Sequence, residues 1–231
     1  MTTVTEKKVR CALCSAENEF IGIGSTNAFG SSDLDTRPPE MARSTMWAWV
    51  QRCQECGYCA SDVAAPRPEA ADVVSTKEYK RQLHDPTYPG WANSFLCKAL
   101  IDSACREFSA ATWALIHAAW VCDDSGRPDQ AVMCREKAAE MLAVAEEHGQ
   151  QVAESGGWST CILVDLLRRS GRLDDARRAI AARRDTITEE DIICVLDFQT
   201  VLIDKNDVLC HTAAEAFGRE KQTDRRSHDR F

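Results

Sequence analysis

No apolar run in this sequence approaches the about 18 residues that a membrane-spanning helix needs, and no apolar stretch follows the lysines of residues 1–10. The sequence therefore predicts neither a span nor a signal peptide, and a cytoplasmic location by default. Basic residues are in deficit, with 28 Lys and Arg against 36 Asp and Glu for a formal charge of −8. That balance argues against holding nucleic acid by broad phosphate neutralisation, which needs clustered Lys and Arg. Only one basic neighbourhood stands out: Arg168, Arg169, Arg172, Arg177, Arg178, Arg183 and Arg184, opposed mainly by Asp174, Asp175 and Asp185. It reads as a solvated helix face, with nucleic-acid binding as the competing reading. Also missing are a glycine-rich phosphate loop and a serine-nucleophile elbow. Gly22-Ile23-Gly24 lacks the third glycine and following helix of a dinucleotide fingerprint. No catalytic residue is assigned.

Cysteine, by contrast, is abundant, with twelve in 231 residues. In a reducing compartment such a number points to metal binding or to plain burial rather than to disulfides. Position separates the two uses. Cys97, Cys105, Cys122, Cys134, Cys161, Cys194 and Cys210 are scattered singly through helical pattern and behave as small hydrophobes. Cys11-Ala12-Leu13-Cys14 and Cys53-Gln54-Glu55-Cys56 are pairs with two intervening residues, the spacing that lets one tight turn aim both sulfurs at a single ion. Gly57 follows the second pair, where the lack of a Cβ lets the backbone turn its N–H groups toward the sulfurs. Two residues also separate Cys56 from Cys59, so spacing alone does not choose the last ligand; Gly57 and the symmetry of the pairs favour Cys56. Four thiolates leave no open position for water, so the site predicted is one structural zinc, with a rubredoxin-like iron as the alternative. The pairs are separated by residues 15–52, longer than the about 15 to 20 residues of a compact site, so this stretch is an insertion that must return to the metal.

The fold class read from this pattern is α+β, mostly α. Residues 1–60 form a small zinc-ribbon-like β domain with the long insertion, in which Asn18–Gly24 and Thr45–Gln51 are strand candidates with Trp47 and Trp49 alternating. Residues 61–90, interrupted by Pro66, Pro68, Pro86 and Pro89, form a connector with a short helix around Thr76–Leu83. Residues 91–218 form helix pairs, and 219–231 a disordered charged tail. Within the helices a repeat can be counted: Trp113, Gly126, Arg127, Asp129 and Ala131 recur as Trp158, Gly171, Arg172, Asp174 and Ala176, each shifted by 45. Each copy reads as helix, glycine turn, helix, with Gly156 and Gly157 between copies. The stripes Ala131, Cys134, Ala138, Met141, Leu142, Ala145 and Ile192, Leu196, Gln199, Ile203 follow the spacing of buried helix faces. Thr188 with Asp191 predicts a capped start to the last long helix. His117 reads as a hydrogen-bonded core histidine between Trp113 and Trp120.

The repeated residues resemble the tetratricopeptide repeat, at a longer step than that family's about 34 residues. Together with CALC before it and RCQECGY after it, the loop Gly30–Glu40 resembles a bacterial family that joins a paired-cysteine metal domain to a tetratricopeptide-like helical region. The resemblance covers about residues 9–217 and implies that architecture and the ligands Cys11, Cys14, Cys53 and Cys56, but no reaction. Asp33, Asp35 and Arg37 of the loop, with His84 of the connector, are candidate ligand-binding residues. The competing reading has Arg37 paired to a carboxylate, pinning the insertion against the helices. The function expected is a zinc-binding interaction or scaffold protein that presents a helical-repeat groove to a protein or peptide partner. An enzyme with a pocket between the metal domain and the helices is the alternative.

Overall fold

Each cysteine pair occupies the tip of a β-hairpin. In the computed structural model, which describes residues 2–218, β1 (Thr3–Arg10) runs antiparallel to β2 (Glu17–Ser25), with Arg10 opposite Glu17 and Glu6 opposite Ile21. Sequence pattern reveals β2 but not β1, because the apolar residues Val4 and Val9 fall on opposite faces of the strand and give no alternation. The backbone ladder holds β1 instead, helped by the exposed cross-strand pairs Lys8–Glu19 and Arg10–Glu17, each worth ~0.2–1 kcal/mol. The second hairpin is minimal, with β3 (Gln51–Arg52) paired antiparallel to β4 (Cys59–Ala60).

Between the hairpins the chain is helical where a strand was expected. After α1 (Glu40–Arg43) the backbone continues into a 3-10 turn at Met46–Ala48. Thr45 donates its hydroxyl to the Ala42 carbonyl at 2.7 Å, and the N–H groups of Ala48 and Trp49 return to Thr45 and Met46. Thr45–Ala48 therefore satisfies its backbone locally, and only Gln51 and Arg52 enter a ladder. Trp49 does not alternate with Trp47 along a strand; it packs edge-on against His117 with ring centroids 5.1 Å apart, joining the insertion to the helical body.

The connector carries α2 (Ala70–Ser75) and the expected α3 (Lys77–Leu83), whose N-cap Thr76 accepts from the Tyr79 N–H. There follow α4 (Gly90–Ala104), α5 (Phe108–Asp124), α6 (Pro128–Glu147), α7 (Gly156–Arg169), α8 (Leu173–Arg183), α9 (Glu190–Asp204) and a short α10 (Ala213–Ala216). From α4 each helix packs on the next as far as α9, and α7 also meets α9. The residues related by the 45-residue shift build the same turn twice. Gly126 and Gly171 take left-handed φ of 65° and 77°, and the N–H groups of Arg127 and Arg172 close on the Cys122 and Leu167 carbonyls, both at 2.9 Å. Ala131 and Ala176 are fully buried just inside the helices that follow. Both predicted core stripes face inward, Met141 alone being only partly buried.

Gly156 and Gly157, between the two copies, open α7, which is capped by the Ser155 hydroxyl, and a Cβ on Gly157 would come within 2.7 Å of Ile192. Two local expectations give way. Helix α9 starts at Glu190 without a side-chain cap, because the Glu189 carboxylate takes the Thr188 N–H. The basic neighbourhood is not one solvated face, since Arg168 and Arg169 are buried. Arg168 pairs with Asp165 at 2.7 Å, and each of the other five arginines meets a carboxylate as well. Unpaired positive charge of the kind that phosphates need is therefore not concentrated there.

One continuous cluster of buried side chains runs from Cys11, Cys53 and Tyr58 through Tyr79 and Phe95 to Leu142 and Leu196. No helix among the described residues is long and apolar enough to cross a membrane. The segment 219–231, expected to be a disordered tail, lies outside the described residues.

His117 occupies an aromatic nest. Instead of the expected hydrogen bond, its ring meets those of Trp49, Phe95, Trp113 and Trp120, with centroids 5.0–5.9 Å away. Burial, with a smaller contribution from the Lys98 charge, brings its pKa down to about 3 from an ordinary 6.5. The unfolded chain therefore takes up this proton first as pH falls. Stability tied to His117 is complete above about 6.5 and is lost toward about 3, with a limiting slope of ~1.4 kcal/mol per pH unit. Over that window His117→Phe is expected to lose less stability on acidification than the parent, measured by urea unfolding. Parallel pH profiles would contradict the placement.

Candidate metal centre

The two hairpin tips are near copies of each other. In the first, the Cys11 N–H bonds the Ala16 carbonyl at 2.9 Å and the Ser15 N–H the Cys11 carbonyl at 2.9 Å; in the second, Cys53 to Tyr58 at 2.9 Å and Gly57 to Cys53 at 3.0 Å repeat the pattern. The residue after each pair is left-handed, with φ of 62° at Ser15 and 75° at Gly57. This geometry turns the intervening N–H groups onto sulfur: Leu13 and Cys14 onto Cys11, Glu55 and Cys56 onto Cys53, and Tyr58 onto Cys56. The Gly57 N–H itself goes to a carbonyl, so its contribution to the sulfurs is conformational.

The tips face one another and bring the four sulfurs of Cys11, Cys14, Cys53 and Cys56 within 4.8 Å of one another. Across the pairs, Cys11 and Cys56 are 3.7 Å apart and Cys14 and Cys53 3.6 Å. A tetrahedral ion with bonds of ~2.3 Å to sulfur requires ligand separations of ~3.8 Å, whereas a disulfide would hold them at ~2.05 Å. The donor set and its spacing therefore fit a tetrathiolate metal such as zinc, and they fit iron equally well. Such an ion would be fully coordinated by protein, so what it supplies is crosslinking of the two tips. Burial pushes the Cys53 thiol up, but the N–H groups of Cys56 and Glu55, the Asn18 amide and the Cys14 thiol outweigh it and bring the pKa down to about 6. Cys56 is pushed up by burial and by the neighbouring thiols, an arrangement suited to a cation that removes all four protons.

Cys59 does not belong to the cluster of four sulfurs. It is fully buried on the other side of Gly57, its thiol 3.3 Å from the Gly57 carbonyl and its N–H on the Tyr79 hydroxyl at 3.1 Å. Tyr79 donates in turn to the Gly57 carbonyl at 2.8 Å, so α3 clamps the second tip. Pattern reading missed Asn18. This buried residue of β2 donates to Cys53 Sγ at 3.5 Å and to the Ala16 carbonyl at 3.1 Å, and accepts from the Gln54 N–H at 2.9 Å. It is the outer support that links the two tips. The available signal was a polar residue at an inward position of a predicted strand.

The equivalent left-handed positions give a paired prediction. A Cβ on Gly57 would lie 2.5 Å from Leu83 Cδ2 in addition to the left-handed strain. Gly57→Ala is expected to destabilise the metal-loaded protein by ~1–3 kcal/mol. Ser15→Gly, relieving strain at some entropic cost, should change stability by less than ~1 kcal/mol. Denaturant midpoints measure both, and equal tolerance at the two sites would show that Leu83 does not constrain the second tip.

The loop that follows the first hairpin is tied down at both faces. Its backbone is stitched to the segment after α9 by Leu34 N–H to the His211 carbonyl at 2.9 Å and Ala213 N–H to the Ser32 carbonyl at 2.8 Å. On its other side, buried Asp35 accepts from Trp120 Nε1 at 2.8 Å and from Arg169 at 3.1 Å. Arg37 pairs with Asp124 and lies 3.7 Å from Asp123, which also accepts from Arg169 at 2.8 Å and from Arg135 at 3.2 Å. Burial pushes the Asp123 carboxyl up, but Arg135, Arg169 and Arg37 outweigh it and hold it below the usual range. Asp35 and Arg37 thus pin the insertion onto α5 and α7, and Arg135 of α6 joins the network through Asp123.

Asp33 differs from its neighbours. It is partly exposed on the wall of a cleft of about 790 Å³ that opens between the loop, α5, α7 and α9, with Trp113, Trp158, Val152 and Ile162 among its lining. His84 is exposed at the C-cap of α3 and does not line this cleft. Comparison of the chain with protein-family models, with curated proteins and with solved structures finds no match to any of them.

Proposed function

We propose that this chain is a non-catalytic, zinc-stabilised interaction protein of the reducing cytoplasm, whose tetratricopeptide-like helices present a cleft to a peptide segment of a partner. One observation carries the reading: the insertion between the two cysteine pairs forms one wall of the cleft, and the helical region, through α5, α7, α9, α10 and the loop between α6 and α7, forms the rest. A closed tetrathiolate ion at the insertion's ends then has a task, to fix that wall, and needs no reactivity of its own. Twelve cysteines, none paired, accord with a reducing compartment. The resemblance to a bacterial family with the same order of parts agrees with this reading and adds no reaction to it.

The enzyme alternative is weaker on chemistry. Asp35 and Arg37 are committed to ion pairs and His84 stands elsewhere, so of the residues proposed for that role only Asp33 reaches the cleft. Crosslinking capture from lysate under reducing conditions tests the leading reading. The parent protein should recover a stoichiometric partner, and Ala153→Trp, which adds an indole to the cleft lining, should not. Equal recovery by both proteins, or none by either, would sink it.

A further inference from the structure

The cleft has a definite sign of charge. Its ionisable lining consists of Asp33 and Glu154, with no Lys, Arg or His. The nearest cations of the loop network, Arg37 and Arg169, are taken up by Asp35, Asp123 and Asp124. Asp33 Oδ2 is buried and has no hydrogen-bond partner among the described residues, so this carboxylate offers the cleft at most one oxygen. Burial raises its carboxyl, and the Cys210 thiol is the strongest influence drawing it back down, ahead of the more distant arginines. A carboxylate in that position gains from any cation that comes to it.

The rest of the lining has a complementary character. Trp113 and Trp158 contribute two indole rings, and the Trp113 Nε1–H is already given to the Val152 carbonyl at 2.8 Å. That N–H is therefore not offered to a ligand, and indole π surfaces attract cations. Leu34, Val152, Ile162 and Val195 supply apolar wall suited to a methylene stem. A guanidinium favours a bidentate carboxylate, whereas a carboxylate that offers the cleft at most one oxygen suits the compact charge of an ammonium. The chain's net charge of −8 also favours a basic partner on approach.

Resting on the reading of this cleft as a peptide site, we infer that the residue it selects is a lysine. The stem lies on the apolar wall, and the ammonium meets Asp33 and Glu154 against the rings of Trp113 and Trp158. Asp33, singled out in the sequence as a candidate ligand-binding residue, becomes the specificity-determining group, while Asp35 and Arg37 hold it in place.

The test uses the metal-loaded full chain and nonapeptide libraries whose central residue is fixed as lysine, acetyl-lysine, norleucine, arginine or glutamate, read by tryptophan fluorescence and by competition. The lysine library should bind at least ~10-fold more tightly than the acetyl-lysine and norleucine libraries, with the advantage shrinking as salt rises. Asp33→Asn should remove most of that advantage and leave norleucine binding unchanged. Should Asp33→Asn fail to fold, Glu154→Gln, at an exposed position, must reduce the same ratio. Norleucine or glutamate binding as well as lysine, or a ratio unmoved in both variants, would overturn the lysine assignment while leaving the peptide reading intact. Arginine binding more tightly than lysine would overturn the choice of ammonium. Free n-hexylammonium binding as tightly as the lysine library would assign the cleft to a small amine and overturn the peptide occupant. Binding by no library would overturn both readings together.

Discussion

Cys53→Ser is expected to reduce the metal from about one ion per chain to a trace and to unfold the region around both hairpin tips. The apparent binding energy of a structural zinc, on the order of 10–16 kcal/mol in small peptides, is folding energy for the segment that wraps it. A serine hydroxyl does not replace a thiolate at neutral pH, so three thiolates remain and the second tip keeps only Cys56, too weak a set to hold the ion and the crosslink. Hydrogen exchange should then accelerate through residues 9–60, while helical circular dichroism from α5 to α9 is largely retained. The decisive comparison is Cys59→Ser, because both cysteines lie beside Gly57 but only Cys53 joins the sulfur cluster. Cys59→Ser should keep its metal and lose only packing. Full metal occupancy in Cys53→Ser, or loss of metal in Cys59→Ser, would refute the ligand assignment. The same variants separate zinc from iron, since elemental analysis of the parent identifies the ion whose loss is being followed.

That the four clustered cysteines are legible in the sequence is a matter of range. Two residues between cysteines is a local constraint, and the tip geometry that follows depends on the next residue alone, so Cys11, Cys14, Cys53 and Cys56 could be read directly. The helices were legible for a similar reason, since Gly126 and Gly171 mark their turns in plain sight. Two further helices, α4 and α9, end in the same left-handed turn with Arg106 and Asn206 in the glycine position, at φ of 59° and 54°; asparagine is a weaker signature than glycine, and arginine is none. What could not be read was anything decided by a distant partner. Thr45–Gln51 has a strand-like composition, but up to Trp49 its backbone bonds within a helical turn, only Gln51 reaches a ladder, and Trp49 is fixed by His117 across the fold. Arg168 and Arg169 looked like members of a solvated run, yet Arg169 is buried because Asp35, 134 residues earlier, waits for it. Charge pattern along a helix carries no information about a carboxylate arriving from an insertion.

That carboxylate network gives the other large effect, at Asp123. Arg135 and Arg169 donate to it, and Arg37 stands 3.7 Å away, all three arginines being buried. Asp123→Ala removes the shared anion and leaves three cations whose remaining partners are Asp35 and Asp124. Breaking a buried ionic group from one side typically costs ~3–5 kcal/mol, because the abandoned charges are not resolvated. By contrast, Glu19→Ala on the exposed hairpin should cost less than ~1 kcal/mol for a pair of similar length. The sign of the pH dependence follows from the lowered Asp123 carboxyl. Its contribution is complete above the ordinary carboxylate pKa and fades as pH falls through the lowered value, so the difference between parent and Asp123→Ala should narrow in acid. Arg169→Met, which removes one of the stranded cations, should destabilise the parent but cost much less in the Asp123→Ala background. A double-mutant cycle in urea measures that coupling. Additive effects would mean that Asp123 and Arg169 stabilise the fold independently despite their 2.8 Å contact. Strong coupling would tie Asp123 to Arg169, which also holds Asp35, and the cleft wall that carries Asp33 would then loosen when Asp123 is lost, even with the metal still bound.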